Sequence, residues 1–135
     1  MTLRHVADHV WRGGYNDIAS WPADDLILGL RIACHTEDDM HLGLSAVFPP
    51  DKQQVEQCML WLAGPRGDGK RILVHCRDGV DRTGIVVTVY LRHVHKWSRA
   101  RCMRYLIATG FHYGRYWWWL PFIWRLLGHY GRPNR

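Results

Sequence analysis

Apolar positions along the 135-residue chain change rhythm near its middle. Up to residue 81 they come in short runs between turn formers, which is the signature of strands. His9-Val10-Trp11-Arg12 reads as a first strand ended by Gly13-Gly14. Asp25 to Cys34, with Leu-Ile-Leu-Gly-Leu-Arg-Ile-Ala inside it, predicts a second strand, and Leu44 to Phe48, stopped by Pro49-Pro50, a third. Asp51 to Ala63 switches to the helical period: Val55, Cys58, Met59 and Leu62 fall at i, i+3, i+4 and i+7, with Pro50 near the first turn and Gly64-Pro65 at the end. Ile72 to His75 predicts a buried strand. Thr83 to His95 is nearly all apolar and predicts a buried helix. Ser98 caps a further helix that stops at Gly110. A last helix, roughly 116–127, places Trp117, Leu120, Trp124 and Leu127 on one face, and Pro121 leaves its start open.

Strands followed by a helix–strand–helix alternation predict an α/β fold. The expected architecture is a single domain, residues 1–135, with a largely parallel central sheet of about four or five strands flanked by helices. There is no internal repeat and no linker-like tract. Ligands of such sheets bind at the carboxyl ends of strands, where Cys76 falls.

Composition narrows the classes. Hydrophobic content of 47% and charged content of 22% belong to a globular protein. The opening MTLRHVADHV lacks a basic-then-apolar leader pattern, and no apolar run nears the roughly 20 residues of a transmembrane helix. The expected location is cytoplasmic. Cys34, Cys58 and Cys102 stand in apolar surroundings and read as small core residues; Cys76 alone has polar neighbours. The net charge of +6 is split unevenly. Residues 1–81 hold eight Lys/Arg and all twelve carboxylates, whereas residues 82–135 hold ten Lys/Arg and no Asp or Glu. The basic half favours anionic partners, although a solvated surface explains the same charges. His93 and His95 are two apart on a helix and face different sides, so no metal site is expected there.

The segment "ILVHCRDGVDRTG" carries the chemistry. It joins a buried strand to a helix through Cys76, five residues and Arg82. The backbone amides of Arg77, Asp78, Gly79, Val80, Asp81 and Arg82 can converge on a tetrahedral dianion at the helix N-terminus. Gly79 permits the turn and Gly84 close packing behind it. Arg82 grips two phosphate oxygens with its planar fork. The same amides and helix dipole favour negative charge on the Cys76 sulfur. Thr83 can donate its hydroxyl to that sulfur, and His75 holds the loop from behind. The reaction implied is attack of sulfur on phosphorus followed by hydrolysis of a cysteinyl-phosphate, with no metal and no cofactor. A structural cysteine near a surface arginine is the plain alternative, and a sulfurtransferase would space Cys and Arg more tightly.

His-Cys-x5-Arg-Thr-Gly after a strand resembles the cysteine-dependent tyrosine and dual-specificity phosphatases. "VADHVWRGG" is similar to the opening strand of small bacterial and plant members, and "KWSRARCMRYLIATGFHYGRYWWWLPFI" to their closing helices. The low-molecular-weight phosphatases place the loop near the N-terminus, unlike mid-chain Cys76. The resemblance implies a general acid, usually an Asp in the loop before the helix that precedes the catalytic strand. Here that loop, "HLGLSAVFPPDK", offers only Asp51. Glu37, Asp38 and Asp39 form an earlier acidic cluster, which also reads as a polar turn. Asp81 comes first among the candidates, because "HCRDGVDRT" is similar to the loop of myotubularin-type lipid phosphatases, where an Asp in that place is assigned the acid role.

A phosphorylated protein substrate, on tyrosine or of mixed specificity, is the first expectation. A phosphoinositide or inositol phosphate is the second, since Arg77 and Asp81 resemble the phosphoinositide-active members. An RNA 5′-phosphate would also suit the basic half. A phosphate-binding adaptor without turnover is the reading from another class. In the Trp117-Trp118-Trp119 run with Arg115 and Arg125, Trp117 and either Trp118 or Trp124 are expected to be core, the alternative being a membrane or single-stranded nucleic-acid patch.

Overall fold

The computed structural model describes residues 3–22, 24–30, 39–44, 51–64, 69–76 and 80–130. Strands β1 (Arg4–Ala7), β2 (Val10–Gly14), β3 (Leu26–Gly29), β4 (Met40–His41) and β5 (Ile72–Cys76) form one sheet in the order β1-β2-β5-β3-β4. β1 is antiparallel to β2, and every other pairing is parallel. The helices are α1 (Lys52–Ala63), α2 (Asp81–His95), α3 (Arg99–Ala108) and α4 (Leu120–Leu127). The expected α/β class and largely parallel sheet are the ones observed.

Alternation along β5 explains the layering. Ile72, Val74 and Cys76 face the main core with Val10, Leu28 and the buried sides of all four helices. Leu73 points to the other face, into a smaller cluster with Trp21 and Ile27. Arg71 roofs that cluster: its guanidinium lies 5.8 Å from the Trp11 ring and 5.0 Å from the Trp21 ring. Asp25 holds it, accepting from the Arg71 amide at 3.0 Å and from its guanidinium at 2.7 Å. Burial opposes the Asp25 charge, but these Arg71 bonds outweigh it and hold the carboxyl below its ordinary range.

Several boundaries differ from expectation. The first strand does not end at the glycines: β2 runs through Gly13 and Gly14, and β1 precedes it. The cause is Asp17, whose carboxylate accepts from the Gly14 amide at 2.9 Å. A Cβ on Gly13 would meet that oxygen at 2.9 Å, so glycine here admits a close neighbour rather than a turn. The second strand stops at Gly29, and Cys34 lies outside the described residues. A short strand lies earlier than expected, at Met40–His41; Leu44, the expected start of the third strand, is buried coil whose amide donates to the Leu30 carbonyl, and residues 45–48 lie outside the described set. Asp51 is the N-cap of α1 rather than its first turn, accepting from the Gln53 amide at 2.9 Å. α2 begins two residues earlier than its apolar run, at Asp81. Ser98 caps α3 as expected, accepting from the Arg101 amide.

The chain end corrects the predicted face. Residues Trp117–Trp119 form a 3-10 turn ahead of α4. Three residues per turn shift the phase, so Trp119, Ile123, Leu126 and Leu127 are buried, whereas Trp117, Trp118 and Trp124 are exposed. Trp119 stacks on Tyr116 with ring centroids 4.3 Å apart, and this contact selects it for the core.

Candidate active site

β5 delivers Cys76 to the carboxyl edge of the sheet, 3% exposed and in register with Gly14 of β2. His75 is flanked by Gly13 and Gly29 on the two neighbouring strands. Three glycines therefore clear side chains from the strand ends beside the thiol. His75 itself is fully buried on the opposite face.

The first intrahelical bond of α2 runs from the Gly84 amide to the Val80 carbonyl at 2.9 Å. The amides of Asp81, Arg82 and Thr83 thus have no partner within the helix, and among the described residues no side chain caps this end. An uncapped helix N-terminus five residues after Cys76 is an anion site in waiting. Thr83 adds a fully buried hydroxyl with no hydrogen-bond partner among the described residues. Arg82 is half-buried and donates from Nη1 to the Leu44 carbonyl at 3.2 Å, which draws residues 42–44 toward the site. Gly84 has the close packing expected of it: a Cβ would meet Leu106 Cδ1 at 3.0 Å and Arg12 Nη2 at 3.4 Å. Arg77, Asp78 and Gly79 lie outside the described residues.

The three acid candidates separate. Asp39 accepts from the Ile27 amide at 2.8 Å, level with Leu73 in the register and so well below the strand ends. Asp51 caps α1. Asp38 and Glu37 lie outside the described residues. Asp81 is the carboxylate at the start of α2, and both its oxygens engage His112: Oδ1 accepts from the His112 amide at 2.9 Å, and Oδ2 lies 2.8 Å from Nδ1.

Sequence reasoning missed two of these groups. His112 has no motif to announce it; it reaches Asp81 only through the turn after α3. Arg12 was legible in principle, because it alternates with buried Val10 on one side of β2. It is 2% exposed and donates to the Val80 carbonyl at 3.3 Å, to the Tyr105 hydroxyl and to Thr109 Oγ1, both at 3.2 Å. Arg12 therefore ties the end of the phosphate loop to the C-terminal turn of α3. Arg12→Met keeps the length of the side chain and removes these bonds. It is expected to lower the unfolding free energy by about 2 kcal/mol, read as a lower urea midpoint at unchanged slope.

The other described cysteines lie in the core. Burial pushes the Cys58 thiol up to about 12 and the Cys102 thiol up to about 11. Both are fully buried core residues, as expected. Among the described residues, no group of three or more His, Cys, Asp or Glu side chains is placed to hold a metal ion, and no helix is long and apolar enough to cross a membrane.

Comparison with known proteins agrees with this geometry. Residues 23–116 match the family model of the dual specificity phosphatase catalytic domain. No curated protein matches the chain. Among solved structures, the core catalytic domain of the PP-IP phosphatase SIW14 from S. cerevisiae, in complex with citrate, superposes with a TM-score of 0.71 at 16% identity, covering 96% of this chain and 85% of that one. PTPMT1 gives 0.67 at 19% identity, with 96% and 93% covered. DUSP15 gives 0.62 at 21%, with 79% and 73% covered. A matched model over most of the chain, on a sheet that carries Cys76 to an open helix N-terminus, has one meaning: the chain belongs to the dual specificity phosphatase catalytic domain family and is a cysteine-based phosphatase of the protein-tyrosine-phosphatase type.

Proposed function

We propose that this phosphatase hydrolyses a monoester on a multiply phosphorylated inositol group, with Cys76 as nucleophile. The observation that carries the substrate class is the uneven charge of the chain. From Arg82 onward there are ten Lys/Arg and no carboxylate, and Asp81, at the loop's end, is occupied by His112. A headgroup with several phosphates uses such surroundings at every anion, whereas phosphotyrosine presents one dianion on an apolar ring. Two similar structures support the reading: SIW14 is a PP-IP phosphatase, and PTPMT1 is also known in complex with PI(5)P.

In the first step the Cys76 sulfur bonds to phosphorus and the P–O ester bond breaks. Arg82 and the free amides of the α2 N-terminus hold the equatorial oxygens, as the cradle expected over residues 77–82 requires. The departing oxygen takes a proton from the Asp81–His112 pair, which holds it beside the helix start. Water then attacks the cysteinyl-phosphate and returns a proton to the Asp81–His112 pair, the P–S bond breaks, the Thr83 hydroxyl donates a hydrogen bond to the departing sulfur, and inorganic phosphate leaves.

The test compares a soluble inositol polyphosphate and a short-chain phosphoinositide with a phosphotyrosine peptide across pH. A higher kcat/KM on the inositol substrates is expected. Asp81→Asn should lower kcat about 100-fold and flatten the pH profile, and His112→Asn should shift that profile in the same direction. The protein-phosphatase reading stands second, supported by the DUSP15 likeness in fold. A preference for the phosphopeptide would replace the first reading by it.

A further inference from the structure

The segment that follows the site has two unlike faces. Inward it packs Phe111, Tyr116 and Trp119 and then the apolar side of α4. Outward it exposes three indoles: Trp117 at 68%, Trp118 at 40% and Trp124 at 42%. Trp117 and Trp118 stand on the 3-10 turn and Trp124 on α4 directly after it, with exposed Pro121 between them. An outward helix face normally carries polar residues, and large exposed indoles grouped on one are unusual.

Cations border this face. Arg115 and Arg125 are exposed beside the indoles, and the Arg99 guanidinium sits 4.5 Å from the Trp124 ring centroid. No acidic residue follows Asp81 in the sequence. The strip also begins at the site, since the Tyr116 amide donates to the carbonyl of His112, the residue that holds Asp81.

We infer that this face docks on an anionic lipid bilayer. Indoles settle where acyl chains meet headgroups, and guanidinium groups beside them take the lipid phosphates, so the observed pairing fits that boundary in both its parts. Charge disfavours a second copy of the chain, because a two-fold contact would set Arg115 and Arg125 against themselves or each other. Ring placement decides against single-stranded nucleic acid. Bases need free ring faces in a groove, whereas Arg99 lies over Trp124, and Trp118 meets Trp119 edge-on at 5.8 Å. Docking would hold the mouth of the site near the bilayer surface. It goes beyond the substrate reading and holds whichever monoester is cleaved.

The test is sedimentation with phosphatidylcholine vesicles, alone and with about one third phosphatidylserine, alongside tryptophan emission. The parent should sediment with the anionic vesicles, less so at high salt, and its emission should shift to the blue. The combined Trp117→Ala, Trp118→Ala and Trp124→Ala variant should bind at least about tenfold more weakly, while its thermal midpoint and its turnover of soluble para-nitrophenyl phosphate stay unchanged. No sedimentation of the parent, or undiminished binding by the variant, overturns the inference. Capture by single-stranded RNA but not by vesicles reassigns the face to nucleic acid. A concentration-dependent dimer, lost in the variant and without vesicle binding, reassigns it to a second copy.

Discussion

Replacing Cys76 by serine is expected to abolish phosphate release from every monoester, a fall of roughly 10⁴-fold or more. A serine hydroxyl stays protonated where a thiol can ionise, and it is the weaker nucleophile toward phosphorus. The fold should be indifferent to the change. Cys76 ends β5 in register with Gly14, and serine is nearly isosteric there. Equal thermal midpoints with turnover lost would assign the nucleophile. Cys58→Ser and Cys102→Ser make the contrast sharp, since both thiols are held protonated by burial and lie in the core. Those two variants should lose stability and keep turnover per folded molecule. Residual activity of Cys76→Ser within tenfold of the parent would sink the mechanism.

Arg82→Lys is the second large effect, a loss of about 100- to 1,000-fold in kcat/KM. Lysine keeps the charge and can still donate one hydrogen bond, but it cannot present two parallel N–H groups to two phosphate oxygens. Arg82 also donates to the Leu44 carbonyl, so a purely structural role must be separated from a catalytic one. Affinity for vanadate, which fills the cradle without turnover, makes the separation. Weaker vanadate binding at an unchanged thermal midpoint places Arg82 on the phosphate. Lost stability with intact vanadate affinity would confine it to holding residue 44.

Much of the fold was legible because its signals are local. The apolar run before Cys76, the period of α1, and Ser98 ahead of α3 each depend on neighbours within a few residues. What failed were the elements set by partners far away in sequence. Gly13-Gly14 resembles a turn, but Asp17 and the pairing with β5 keep it in a strand. The phase of the last helix could not be read, because the 3-10 turn that sets it depends on Trp119 finding Tyr116 and Phe111.

The site divides in the same way. By itself the sequence determined the family and carried the residues of the proposed chemistry, since a loop that wraps one phosphate is built from consecutive residues. Cys76, Arg82 and Thr83 therefore stand within eight residues. Only the tertiary structure decided what surrounds them: that Arg12 reaches Val80 from β2, that His112 takes both oxygens of Asp81, that Asp39 and Asp51 are engaged elsewhere, and that three indoles face outward. The physical reason is range. A loop that binds a phosphate is built from consecutive amides, whereas charge pairing and burial depend on which distant segments the sheet and its helices bring within a few ångströms.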